Sequence, residues 1–317
     1  MSDKVHWVIP GAAIALEAPP QTPASSTALA LPNLRRLLGA MTPGARLALP
    51  EGSPALPFKM LLARLNGLPG EPGHVPWAAF EHRIAGTPCA VLRLCHWQVG
   101  TDNVMLSPPD ELALSADDAQ SLLVAMSPYF EEDGIALAQV PGVPGTWLAT
   151  GEPFRDLATI SLDRAIGKRL TRSFFEAKGV SAALIRKLQN EMQMLLYTSP
   201  VNDERELRGL LPVNSFWVTG AGVLDQIIKP VTGVQIETRL QESAQRHDIA
   251  AHAQAWQAVD ADLCVRLLAQ VHAGKRFTLS LCGERAAQSF EPAAESAWQR
   301  IKRAFATTDE QKILDTL

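Results

Sequence analysis

Arg205 and Arg208 stand three positions apart in the run PVNDERELRG, residues 200–209. A guanidinium fork suits a phosphate or a carboxylate, so the pair can face one anion. Asn202 and Asn214 bracket the arginines and can orient a ligand by donating or accepting hydrogen bonds. An aromatic, strand-like segment follows and ends in Gly220-Ala221-Gly222, where glycine lets the backbone turn sharply or approach a bound molecule. These six residues, Asn202, Arg205, Arg208, Asn214, Gly220 and Gly222, form the candidate binding set for a small anionic metabolite. The competing assignment is local: the asparagines hold turns and the arginines pair with Asp203, Glu204 or Glu206.

Other chemistries leave weaker marks. The Gly-Ala-Gly lacks the third glycine of a dinucleotide fingerprint and is followed by Pro230 rather than a clear helix. There is no P-loop, no HExxH and no GxSxG nucleophile elbow. The seven histidines are scattered without ligand spacing, and His96 beside Trp97 reads as a hydrogen-bonded structural residue. Asp117, Asp118 and the acids at 131–133 read as helix-end and solvated charges. The expectation is no metal site, no cofactor and no assignable catalytic residue.

The elements that must position the candidate set can be read from spacing. Leu184, Leu188, Met192, Leu195 and Leu196 make the apolar stripe of a helix, with Ser181 as N-cap and Pro200 as its stop. Residues 200–209 read as a charged turn and 212–219 as a strand. Upstream, strands are expected at 5–9, 77–84 and 89–99, with short helices at 34–38 and 57–65 and an irregular Pro-rich excursion over 17–32. Ser115 caps a helix with Asp118 placed as a capping-box acid, Asp133-Gly134 ends it, and a hairpin follows around PGVPG. Residues 251–270 carry a helical pattern, 276–282 a strand, and 298–305 a last helix. The fold class is α/β, a mixed sheet with packed helices, divided as 1–175 and 176–317 or continuous as one domain.

At 317 residues the chain can bury a large core. Its net charge of −4, with both signs interspersed, gives no electrostatic footprint for nucleic acid. No apolar run is long enough to span a bilayer, and Asp3, His6, Pro10 and Glu17 interrupt the N-terminal stretch as a signal peptide. Cys89, Cys95, Cys264 and Cys282 lack a disulfide or CxxC pattern, so a cytoplasmic protein with reduced thiols is expected. No protein partner can be named.

Several blocks carry a resemblance: LQNEMQMLLY, SPVNDERELRG, LPVNSFWVTGAG, HWQVG, YFEEDG and FTLSLCGER. Together they resemble the RpfE-type family, regulator-of-pathogenicity-factor-like proteins of proteobacteria. This resemblance implies a regulatory or binding protein rather than an enzyme. The block 200–222 also resembles archaeal-type cofactor-independent phosphoglycerate mutases, with Asn202, Arg205, Gly209, Asn214, Gly220 and Gly222 on matching positions. Ser199 replaces the histidine of that family's pattern, and the first strand ends in Pro10-Gly11 without the family's Asp. The resemblance implies a degenerate alkaline-phosphatase-like architecture and, as the alternative function, phosphotransfer dependent on Mn or Mg. A third alternative is a protein–protein interaction scaffold without a ligand.

Overall fold

The computed structural model describes residues 5–14, 29–100, 103–166, 168–171, 179–293 and 309–317. The strands in chain order are β1 (Val5–Pro10), β2 (Met41–Ala48), β3 (Cys89–Cys95), β4 (Trp97–Val99), β5 (Asn103–Leu106), β6 (Ala136–Gln139), β7 (Thr146–Thr150), β8 (Arg169–Thr171), β9 (Ser215–Gly222), β10 (Val234–Ile236), β11 (Phe277–Cys282) and β12 (Ala286–Pro292). The helices are α1 (Pro32–Gly39), α2 (Pro57–Leu65), α3 (Trp77–Glu81), α4 (Ala116–Glu132), α5 (Leu162–Ala165), α6 (Val180–Tyr197), α7 (Pro200–Leu207), α8 (Gln241–Gln245), α9 (Ile249–Val259), α10 (Val265–His272) and α11 (Glu310–Asp315). They form two compact units, Met1–Leu62 with Pro230–Leu317, and Ala63–Lys229. The first unit is thus built from both ends of the chain, and residue 175 lies within the range of the second.

The first unit holds a mixed five-stranded sheet, β10-β1-β11-β12-β2. β1 runs parallel to β10 and β11, while β11–β12 and β12–β2 are antiparallel. All six residues of β11 are buried, as the uninterrupted FTLSLC run requires of a central strand. Ile9, Leu279 and Leu281 pack with Leu34, Leu37, Trp256, Leu263 and Leu267 of the helices. α9 passes through a π-turn, Asp260–Cys264, into α10. α1 has no side-chain cap of its own, and the buried Asp260 carboxylate supplies one by accepting from Leu34 N at 2.6 Å and Asn33 N at 3.3 Å. β2 and β12 were not expected from sequence; Pro43 and Gly44 hide β2, which lies at the sheet edge, where a proline costs no ladder bond.

The second unit holds the antiparallel sheet β6-β7-β3-β9 and a smaller antiparallel sheet β4-β5-β8. Ala90, Leu92 and Leu94 point from one face of β3 into a core with Leu122, Met126 and Phe130 of α4 and Ile185, Leu188 and Met192 of α6. Alternate residues lie on the other face, where Cys95 and Trp217 pack with Trp97, Leu106 and Leu170. The mixed α/β class holds, and among the described residues the first unit's sheet is the one that mixes parallel and antiparallel strands.

Three local expectations are corrected. Residues 77–84 are not a strand: Trp77–Glu81 is helical, because Ala78 and Ala79 favour helix and Pro76 occupies the N-cap. The helix α6 starts at Val180 behind Gly179, not from a Ser181 cap. Residues 200–207 are helix α7, with Pro200 in the first turn and Gly209 at φ +70° beyond its end. The helix expected at 298–305 and most of the excursion at 17–32 fall outside the described residues.

Candidate functional site

The helical form of α7 puts Arg205 and Arg208 on one side, and both reach Asp118 in the first turn of α4. Arg205 is fully buried. Its Nη1 donates to Asp118 Oδ2 at 3.1 Å, its Nε and Nη2 donate to the Leu211 carbonyl at 3.0 and 2.8 Å, and Nη2 also donates to the Leu112 carbonyl. Arg208, half exposed, donates from Nη2 to the same carboxylate at 3.2 Å. Burial by itself would raise the Asp118 carboxyl, but hydrogen bonds from Ser115, Arg205 and Arg208 together hold it below the usual carboxylate range. The partner of both arginines is therefore Asp118, not Asp203, Glu204 or Glu206, and the acid placed for a capping box serves as their counter-ion.

The asparagines are equally committed. Asn202 donates to the carbonyls of Leu196 and Val213, each at 2.7 Å, and accepts from Val213 N at 2.8 Å. Asn214 accepts from Trp97 N at 2.7 Å and donates to its carbonyl at 2.9 Å, extending β9 against the break between β3 and β4. The glycines admit α3: a Cβ at Gly220 (φ +65°) would stand 2.9 Å from Trp77 Cβ, and one at Gly222 (φ +147°) 2.8 Å from Pro76 Cβ. The structure thus brings Arg205 and Arg208 together, with Asn202 in the same helix, while Asn214 and the two glycines brace other elements.

A cleft of about 260 Å³ lies nearby, and none of the six lines it. Its walls are Arg93 and Leu94 of β3, the 3-10 turn Pro109–Leu112 with Ala113 and Leu114, and the β6–β7 turn Gly142–Gly145. Arg93 is partly buried, and among the described residues its side chain makes no hydrogen bond or ion pair. It stands opposite Thr146 on β7, whose buried Oγ1 has no partner among the described residues either. Side chains directly opposite in a sheet share a face, so the Arg93 cation and the Thr146 hydroxyl lie side by side, the hydroxyl buried and outside the cleft lining. Arg205 bears on this cleft at one remove, because the Leu112 carbonyl it grips precedes Ala113, held at φ 44° in the wall.

Other reactive groups are quiet. Burial pushes the thiols up, Cys89 to about 11 and Cys264 and Cys282 to about 12. Burial lowers the His252 imidazole, which donates to the Gly11 carbonyl at 2.7 Å. Among the described residues no three His, Cys, Asp or Glu side chains group closely enough to hold a metal ion, and no helix is long and apolar enough to cross a membrane.

No protein-family model and no curated protein matches the chain. The RpfE-type resemblance therefore stands without support. Among solved structures, the chain is similar to a cofactor-independent phosphoglycerate mutase from Thermoplasma acidophilum DSM 1728, at 15% identity over 92% of this chain and 90% of that one, with a TM-score of 0.36. It is also similar to the PH0037 protein from Pyrococcus horikoshii, at 10% identity over 92% and 88% of the two chains, with a TM-score of 0.43. Likenesses this distant say nothing of the chemistry of this chain.

Arg93 is absent from the set drawn from sequence, although a signal for it exists. It is the one charge inside CAVLRLC, an otherwise apolar and buried strand. A charge at such a position is more informative than a charge cluster such as DERELR, which helix formation and one distant carboxylate can absorb.

Proposed function

We propose that this chain is a binding protein for a small phosphorylated or carboxylated metabolite, and that the cleft at Arg93 is its site. The observation that carries this reading is Arg93, a partly buried residue that lines the cleft and has no counter-ion among the described residues. A guanidinium at a cleft wall without a protein counter-ion offers an anion charge-assisted hydrogen bonds. The cleft volume of about 260 Å³ suits a metabolite rather than a macromolecule. The set Asn202, Arg205, Arg208, Asn214, Gly220 and Gly222 enters this proposal as framework around the site. No residue of the cleft is assigned a catalytic role.

The test is calorimetric titration with inorganic phosphate, acetate and 3-phosphoglycerate at fixed ionic strength, for the natural chain and for Arg93→Gln. Saturable binding that weakens about tenfold or more in the variant supports the reading. Binding untouched by Arg93→Gln would move the site elsewhere. Turnover of 3-phosphoglycerate in the presence of Mn²⁺ would make the chain an enzyme and overturn a role confined to binding.

A further inference from the structure

The cleft carries charges of both signs. Arg93 comes from β3, and Asp110 comes from the 3-10 turn that forms another wall. Neither side chain has a hydrogen bond or ion pair among the described residues, with each other or with a third group. Elsewhere in this unit close opposite charges find one another: Arg155 with Glu152 at 2.8 Å, Lys187 with Asp133 at 3.1 Å, and Arg205 with Asp118 at 3.1 Å. Arg64, Arg83 and Asp110 are all exposed, where water suffices for a lone charge; what sets Asp110 apart is that it lines the same cleft as Arg93. Arg93 is partly buried, the one charge in a strand whose other residues are buried. Two opposite charges that share a cleft and leave each other unpaired are complementary to a molecule bearing both signs.

We propose that the ligand of the Arg93 cleft is a small zwitterion, with its carboxylate or phosphate on Arg93 and its ammonium on Asp110. This inference rests on the reading of the cleft as an anion site and adds the requirement for a cation. An α-amino acid and an amino-bearing phosphate ester share the chemistry. A lipid headgroup presents it too, and the cleft size favours the free molecule.

The experiment compares near-isosteric pairs that differ in the ammonium: L-alanine with L-lactate, and O-phosphoethanolamine with ethyl phosphate. Titrations are run on the natural chain, Asp110→Asn and Arg93→Gln. The ammonium-bearing member of at least one pair should bind about tenfold more tightly to the natural chain. Asp110→Asn should erase that preference and leave the affinity for L-lactate or ethyl phosphate within about twofold. Arg93→Gln should weaken both members of the pair. Equal affinity within both pairs, still dependent on Arg93, would overturn the zwitterion and leave the anion site standing. No Arg93-dependent binding by any of the four would overturn both. Phosphatidylethanolamine vesicles that displace bound O-phosphoethanolamine would contradict a free molecule as the occupant. Both substitutions lie at the cleft surface, so an unchanged unfolding midpoint separates lost binding from lost fold.

Discussion

The second unit contains two arginines whose surroundings are opposites. Arg205 comes from a run crowded with charge, PVNDERELRG, and is fully buried, with its donors spent on Asp118 and on the carbonyls of Leu112 and Leu211. Arg93 comes from the apolar strand CAVLRLC, lines a cleft and makes no side-chain hydrogen bond or ion pair among the described residues. The conspicuous cation braces the fold, and the inconspicuous one is the proposed ligand contact. A charged residue advertises function when its surroundings are wrong for it, not when it has charged neighbours in sequence.

Substitutions can break this contrast. The largest effect belongs to Arg205→Met, which strands the buried Leu112 carbonyl and the part-buried Leu211 carbonyl and leaves Asp118 with Arg208 as its half-exposed cationic partner. Loss of one member of a buried ion pair costs about 3–5 kcal/mol, so urea unfolding of the variant should show a loss of that order. Arg93→Met in the same assay should change stability by less than about 1 kcal/mol. A reversed ranking would break the comparison outright.

Gly220→Ala comes next. It forces a Cβ to within 2.9 Å of Trp77 at a φ of +65°, and about 1–3 kcal/mol of destabilisation is expected by thermal or urea unfolding. Full tolerance would reopen a role for this glycine at a ligand.

The Asp118 clasp should also be visible in pH dependence. Its carboxyl lies below the usual range in the folded chain, so its stabilisation is complete above the unfolded value of about 3.9 and is lost as pH falls through the lowered folded value. Asp118→Asn should flatten that part of the acid limb. An unchanged acid limb would mean that the clasp contributes little. The smallest effect is expected for Arg208→Gln, whose half-exposed pair is worth about 0–1 kcal/mol and whose loss should leave both stability and anion binding nearly intact.

Much of the fold was legible because burial leaves periodic traces. The stripe of Leu188, Met192 and Leu196 marks α6, Ser115 caps α4 as its spacing suggests, and PGVPG joins β6 to β7. The errors fall where local signals conflict with tertiary use. Pro43 and Gly44 disguise an edge strand, and aromatic residues around Ala78 and Ala79 mimic a strand in what is a short helix. The charged run at 200–207 looks like a turn until Pro200 is recognised as a helix start. The candidate site was harder to read, because the partner of Arg205 lies 87 residues away in sequence and no local spacing reveals it. Arg93 was open to detection from its strand alone, but its cleft arises only when the 3-10 turn and the β6–β7 turn come together around it.

The most direct measurement is an arginine side-chain NMR titration with inorganic phosphate, following the Nε–H resonances of Arg93, Arg205 and Arg208. The account expects the Arg93 resonance to shift saturably while that of Arg205 stays fixed and protected from exchange. A saturable shift at Arg205 or Arg208, with Arg93 unmoved, would contradict it and return the binding site to α7.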